Sequence, residues 1–111
     1  MLIAYYSKTG NTETIAKMIS EGAKSVKSVN VEVEDAQTID AKKASEADGF
    51  AFGSPSYFSI MSGPMLSLLT ELYFLKDKLA SKPMTAFATG IGSQTKTVEN
   101  LKASLKRIIQ N

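Results

Sequence analysis

The chain has 111 residues, 43% hydrophobic and 22% charged, which suits one ordinary globular domain with one core and not a disordered or fibrous chain. It has no cysteine and no histidine, which excludes disulfides, thiolate nucleophiles, iron–sulfur ligation, zinc sites built on those residues and serine–histidine triads; redox or catalytic work falls to carboxylates or a borrowed cofactor. The net charge is only +2, and Lys24, Lys27, Lys42, Lys43, Lys102 and Lys106 are spread over several segments, so no nucleic-acid partner is expected.

In chain order, residues 1–6 form an apolar run that ends abruptly in Ser, Gly, Asn and Thr, the pattern of a buried strand entering a turn. From Asn11, Ile15, Met18, Ile19, Gly22, Ala23 and Val26 recur at helical spacing and predict an amphipathic helix with those residues inward. Val29, Val31 and Val33 alternate with Asn30, Glu32 and Glu34, as in a strand wet on one face at a sheet edge. Residues 41–46 suit a brief helix, and Gly49-Phe50-Ala51-Phe52-Gly53 reads as a central parallel strand. A loop over 54–62 leads to a helix with Ser62 as its cap, Pro64 in its first turn and Met65, Leu68, Leu69, Leu72, Tyr73 and Leu75 on its apolar face. Met84 to Thr89 is a fourth strand behind Pro83, and Val98, Leu101, Leu105, Ile108 and Ile109 mark a last helix over 96–109.

The order βαβαβαβα predicts a parallel sheet with right-handed crossovers, which gathers the loops after the strands along one rim. No apolar stretch approaches the roughly 20 residues that cross a bilayer, and residues 1–4 lack the basic start of a signal peptide. The expectation is a cytoplasmic protein with no membrane partner.

Ser7-Lys8-Thr9-Gly10-Asn11-Thr12 lies where the first strand gives way to its helix, so free amides and the positive end of the helix dipole converge on it. That is an anion site by construction, with hydroxyls from Ser7, Thr9 and Thr12, the Asn11 amide and the Gly10 backbone in reach of a phosphate. The same residue types also serve any tight turn into a helix, and local sequence leaves both readings open. No glycine precedes Lys8-Thr9 at the spacing of a nucleoside-triphosphate loop. Gly90-Ile91-Gly92 follows the last strand and not the first, so it only imitates a dinucleotide fingerprint. A phospho-acceptor receiver needs acids where this chain has Tyr5-Tyr6-Ser7 and Gly53-Ser54.

Three separated segments resemble the flavodoxin-like proteins. Tyr6-Ser7-Lys8-Thr9-Gly10-Asn11-Thr12 is similar to that family's phosphate loop, Gly53-Ser54-Pro55-Ser56-Tyr57-Phe58-Ser59-Ile60-Met61-Ser62-Gly63-Pro64 resembles the loop that contacts the isoalloxazine ring in flavodoxin-like NAD(P)H:quinone oxidoreductases, and Thr89-Gly90-Ile91-Gly92-Ser93-Gln94 falls where the second ring-binding loop lies. The resemblance implies a three-layer αβα sandwich of flavodoxin-like class, one domain over 1–111, with strand order 2-1-3-4 and FMN as cofactor. It places Ser7, Lys8, Thr9, Gly10, Asn11 and Thr12 at the phosphate and Pro55, Ser56, Tyr57, Phe58 and Ser59, with Thr89, Gly90 and Gly92, at the ring. No catalytic residue and no metal ligand is implied.

The chain departs from the family in having no Trp, in lacking Tyr and acidic residues in the third loop, and in a sequence pI of about 8.8. It also ends where the family continues into a fifth strand and helix. The expectation is that the last helix swings across the face so vacated, giving two helices per face, or that two chains cover each other, so monomer and homodimer both stay open. The function implied is electron transfer with redox partner proteins; the alternatives are an FMN-dependent NAD(P)H:quinone oxidoreductase and a flavin-free interaction domain.

Overall fold

In the computed structural model, which describes residues 1–90 and 92–109 with the side chain of Ile109 excepted, the opening apolar run becomes β1 (Leu2–Tyr5), buried at every residue. Such a strand needs cover on both faces and neighbours on both sides. It has them: β1 pairs in parallel with β2 (Glu32–Asp35) and with β3 (Phe50–Pro55). β4 (Met84–Thr89) pairs in parallel with β3 and gives the order β2-β1-β3-β4, as the family resemblance implies. β3 runs beyond the expected 49–53 because its ladder with β4 continues to Pro55 opposite Thr89.

The helices are α1 (Asn11–Lys24), α2 (Ala41–Ala44), α3 (Gly63–Tyr73) and α4 (Gln94–Ile109). Their starts follow local chemistry. Asp40 accepts the Lys42 N–H at 3.0 Å, and Ser62 Oγ accepts the Met65 N–H at 3.3 Å ahead of Pro64 in the first turn of α3. Among the described residues no helix is long and apolar enough to cross a membrane.

Alternation along the strands divides the core in two. Leu2, Ala4, Phe50 and Phe52 face α2, α3 and α4, where they meet Leu68, Leu72, Leu101 and Ile108. The Phe50 and Phe52 rings stack with centroids 5.6 Å apart. Ile3, Tyr5 and Ala51 face the other way, towards Ala16 of α1.

Two expectations are corrected here. The last helix does not swing to the vacated face; α4 packs beside α3, with Leu101, Leu105 and Ile108 in the same cluster as Leu68, Leu69 and Leu72. The steps from β2 to β3 and from β3 to β4 run in one direction, so right-handed crossovers keep α2 and α3 on one side of the sheet, and α4 joins them there by packing on α3. The step from β1 back to β2 runs in the opposite direction and sends α1 to the other side. Among the described residues helix α1 thus covers its face alone, and all of β4 except exposed Thr85 is only half-buried.

The second correction concerns the face α1 buries. Thr12, Ala16 and Ser20 point inward, while Ile15, Met18 and Val26 are 37%, 64% and 56% exposed, and Val26 lies past the helix end. Small side chains let the helix lie close on the sheet. Of the larger ones expected inward, Ile15 and Met18 are rotated towards the flank, while Ile19 stays half-buried against the Ile3 cluster as expected.

Candidate functional site

In a parallel sheet, a crevice opens where neighbouring strands send their connections to opposite faces. Here that happens between β1, which leads to α1, and β3, which leads to α3. The loops after β1, β3 and β4 meet above this point.

The first loop is shaped by Gly10, which sits at the N-cap of α1 with φ 98° and ψ −11°, a left-handed conformation that disfavours a side chain. Ser7 Oγ accepts the Gly10 N–H at 3.0 Å, which closes the loop from within. The first intrahelical bond runs from the Thr14 N–H to the Gly10 carbonyl at 3.0 Å, so the amides of Asn11, Thr12 and Glu13 precede the ladder with no intrahelical acceptor. Lys8, Thr9 and Asn11 are exposed, Ser7 is half-buried and Thr12 is buried. Glu13, the one acid in the first turn, is drawn aside: it accepts the Tyr5 hydroxyl at 2.9 Å and lies 3.8 Å from Lys17. Burial first, then the hydrogen bond and charge of Glu13 and the nearby charges of Asp35 and Glu34, push the Tyr5 phenol up to about 12.

The third loop is tied to the first and the second. Thr12 Oγ1 and Thr89 Oγ1 share a hydrogen bond of 2.8 Å, and the Ser56 N–H donates to the Thr89 carbonyl at 2.9 Å. Gly90 permits the close approach that follows, since a Cβ there would stand 3.0 Å from both Cβ and Oγ of Ser56. Ser56 Oγ is buried with no hydrogen-bond partner among the described residues. Ser20 Oγ, under α1, is in the same state. Gly92 is exposed with φ 86°, and Ile91 between the two glycines lies outside the described residues.

The second loop carries the feature sequence reasoning missed. Tyr57 and Ile60 exchange backbone hydrogen bonds of 2.9 and 3.0 Å, closing a two-residue hairpin over Phe58 and Ser59. Both central residues have positive φ, 52° and 67°. Turns of this kind favour Asn and Gly, so Phe-Ser gives no sequence signal for one. The base is anchored: Ser54 Oγ accepts the Ser62 N–H at 2.8 Å, and Asn100 Oδ1, from α4, accepts the Met61 N–H at 3.0 Å. The tip is bare, with Phe58 100% exposed and Tyr57 and Ile60 exposed beside it. Pro55 belongs to β3 and not to the loop proper.

The arrangement therefore offers uncapped amides for an anion at one end, and an aromatic hairpin with an unpartnered hydroxyl at the other. An anion suits the first of these chemistries and a flat ring with polar edges the second.

The sequence matches a family described as a flavodoxin domain over residues 2–111. It is 36% identical over 93 residues to a flavodoxin of Clostridium saccharobutylicum, covering 82% of this chain and 58% of that protein. It is 32% identical over 93 residues to a flavodoxin of Aquifex aeolicus, covering 83% of this chain and 50% of that one. The match thus spans between half and three-fifths of the length of these relatives. Its fold matches that of a flavodoxin from the domain Archaea with a TM-score of 0.85 at 24% identity, covering 99% of this chain and 75% of the other.

Proposed function

The chain belongs to the flavodoxin family, and from that premise we propose that it holds FMN along the carboxyl rim of its sheet and passes electrons between partner proteins. One observation carries the reading: Thr89 ties together the uncapped start of α1, through Thr12, and the loop that holds the unpartnered Ser56 hydroxyl. No other cluster on the rim combines an anion cradle with a polar atom lacking its partner among the described residues.

In this reading the amides of Asn11, Thr12 and Glu13, with the Thr9 hydroxyl, receive the phosphate dianion against the positive end of the α1 dipole. The Ser56 loop would border the polar edge of the ring, its hydroxyl gaining a partner only if the loop opens on binding, and Tyr57 and Phe58 would supply the aromatic surface beside it. Gly90 and Gly92 bring backbone to the same edge. Bound FMN supplies reversible electron uptake and release; the chain's hydrogen bonds decide which protonation of the ring edge is favoured.

The test is a titration of flavin-free protein with FMN and with riboflavin, read by quenching of flavin fluorescence. FMN is expected to bind tighter by about a hundredfold or more, since even two charge-assisted phosphate contacts contribute roughly 3 kcal/mol together. Equal affinities would remove the phosphate assignment, and no binding of either would remove the proposed function.

A further inference from the structure

Away from the rim, α3 and α4 diverge to leave a groove on the outer surface of the protein. Leu66, Tyr73 and Phe74 contribute apolar surface to it, and Lys76 and Arg107 stand among its lining. Phe74 is 79% exposed, with Tyr73 set edge-on to it at 5.8 Å between centroids. Isolated exposed apolar residues need no explanation, but an aromatic pair joined to exposed leucine on adjacent turns makes a contiguous patch.

Charge says what kind of chain the groove fits. Lys76 Nζ lies 4.8 Å from the Tyr73 ring centroid, which places a cation directly on the apolar surface. Arg107 adds a second, and no acidic side chain is among the described residues that line the groove. Glu71, Asp77 and Glu99, the acids closest in sequence, are absent from that lining. A second copy of this chain would bring its own lysine and arginine against these two, so self-association through the groove is disfavoured.

Backbone chemistry narrows the occupant further. The walls are helices, whose own amides and carbonyls are already paired, so an extended peptide laid between them would gain no backbone hydrogen bonds from the protein. A helix satisfies itself and can present apolar anchors at every third or fourth residue. We propose that the α3–α4 groove is a docking site for an acidic amphipathic helix of a partner protein, with apolar anchors against Tyr73 and Phe74 and carboxylates against Lys76 and Arg107. Asn100 lines the groove and also accepts the Met61 N–H, so a docked helix touches the residue that anchors the aromatic hairpin. The site does not depend on flavin.

The probe is a synthetic helical peptide of about 14 residues, long enough to run roughly 20 Å, with Leu and Phe at helical spacing and Glu elsewhere. A counterpart with Lys for each Glu serves as control. Both are titrated into the intact protein, with and without FMN, and followed by amide chemical shifts. The expected result is saturable binding of the acidic peptide alone, with shifts concentrated in residues 63–76 and 94–108. Lys76→Glu with Arg107→Glu should weaken it about tenfold or more and admit the basic peptide, and Phe74→Ala should weaken it about fivefold or more. These side chains are exposed or half-exposed, and unchanged circular dichroism confirms that the variants fold. Equal binding of both peptides, shifts on other surfaces, no binding of the acidic peptide, or concentration-dependent dimers abolished by Phe74→Ala would each overturn the proposal. Because binding is read without flavin as well, its failure is separate from any failure of the FMN titration.

Discussion

Thr12 and Thr89, 77 residues apart in sequence, share a hydrogen bond of 2.8 Å between their hydroxyls and so join the start of α1 to the end of β4. Thr12 is 1% exposed, so removing one partner leaves the other desolvated. Thr12→Val and Thr89→Val should each lower stability by roughly 1–2 kcal/mol, and the double variant should lose less than the sum. Urea unfolding of the four proteins tests this; strict additivity would show that the contact contributes nothing.

Thr9 separates binding from folding. It is exposed in the loop before α1, so Thr9→Ala should leave the unfolding midpoint within about 0.5 kcal/mol of the parent. FMN affinity should drop several-fold while riboflavin affinity stays put. A parallel loss for both flavins would place Thr9 away from the phosphate.

The hairpin tip carries Ser59 at φ 67°, where glycine is at ease and serine is not. Ser59→Gly should stabilise the protein by about 0.5–1 kcal/mol, read as a higher unfolding midpoint. An unchanged or lower midpoint would mean that the turn is not strained.

Tyr5 makes the alkaline limb of stability specific. Its phenol is raised from 10.0 to about 12, so the folded state keeps a proton that the unfolded chain has lost. Its contribution is complete below pH 10.0 and is lost as pH rises through about 12. Over that window the parent should lose about 2–3 kcal/mol more than Tyr5→Phe, measured by denaturant unfolding at stepped pH. Superimposable pH profiles would contradict the assignment.

The corrected face of α1 is tested by contrast. Met18, 64% exposed, should accept Glu within about 0.5 kcal/mol, whereas Ala16, 0% exposed, should not accept Leu without losing about 1–3 kcal/mol. The opposite ranking would restore the face the sequence suggested.

That contrast also marks where the sequence was legible. Strand β4 and the Ser62 cap stand where expected because both depend on signals a few residues wide: a breaker, a run of one period, a hydroxyl before a proline. The inward face of α1 escaped because hydrophobicity names the greasiest stripe, whereas Ala16 and Ser20 are inward for being small. The side of the sheet taken by α4 follows from its packing on α3 through Leu101, Leu105 and Ile108, a long-range contact that no local signal announces. At the site, the loop between β1 and α1 was readable from its hydroxyls and glycine. The Tyr57–Ile60 pairing and the Asn100 anchor were not, since one uses residues foreign to its turn type and the other spans 39 positions.

The bare side of β4 has a consequence for solvent exchange. In a parallel ladder, alternate residues point their amides to alternate neighbours, and among the described residues β4 has a neighbour on one side only. Deuterium should therefore enter β4 at every second amide while β1 and β3 remain protonated, a comb of fast and slow positions along one strand. The outward row is also the template to which any added strand would align, so the same amides that exchange first would be the first to fall silent if the sheet were extended.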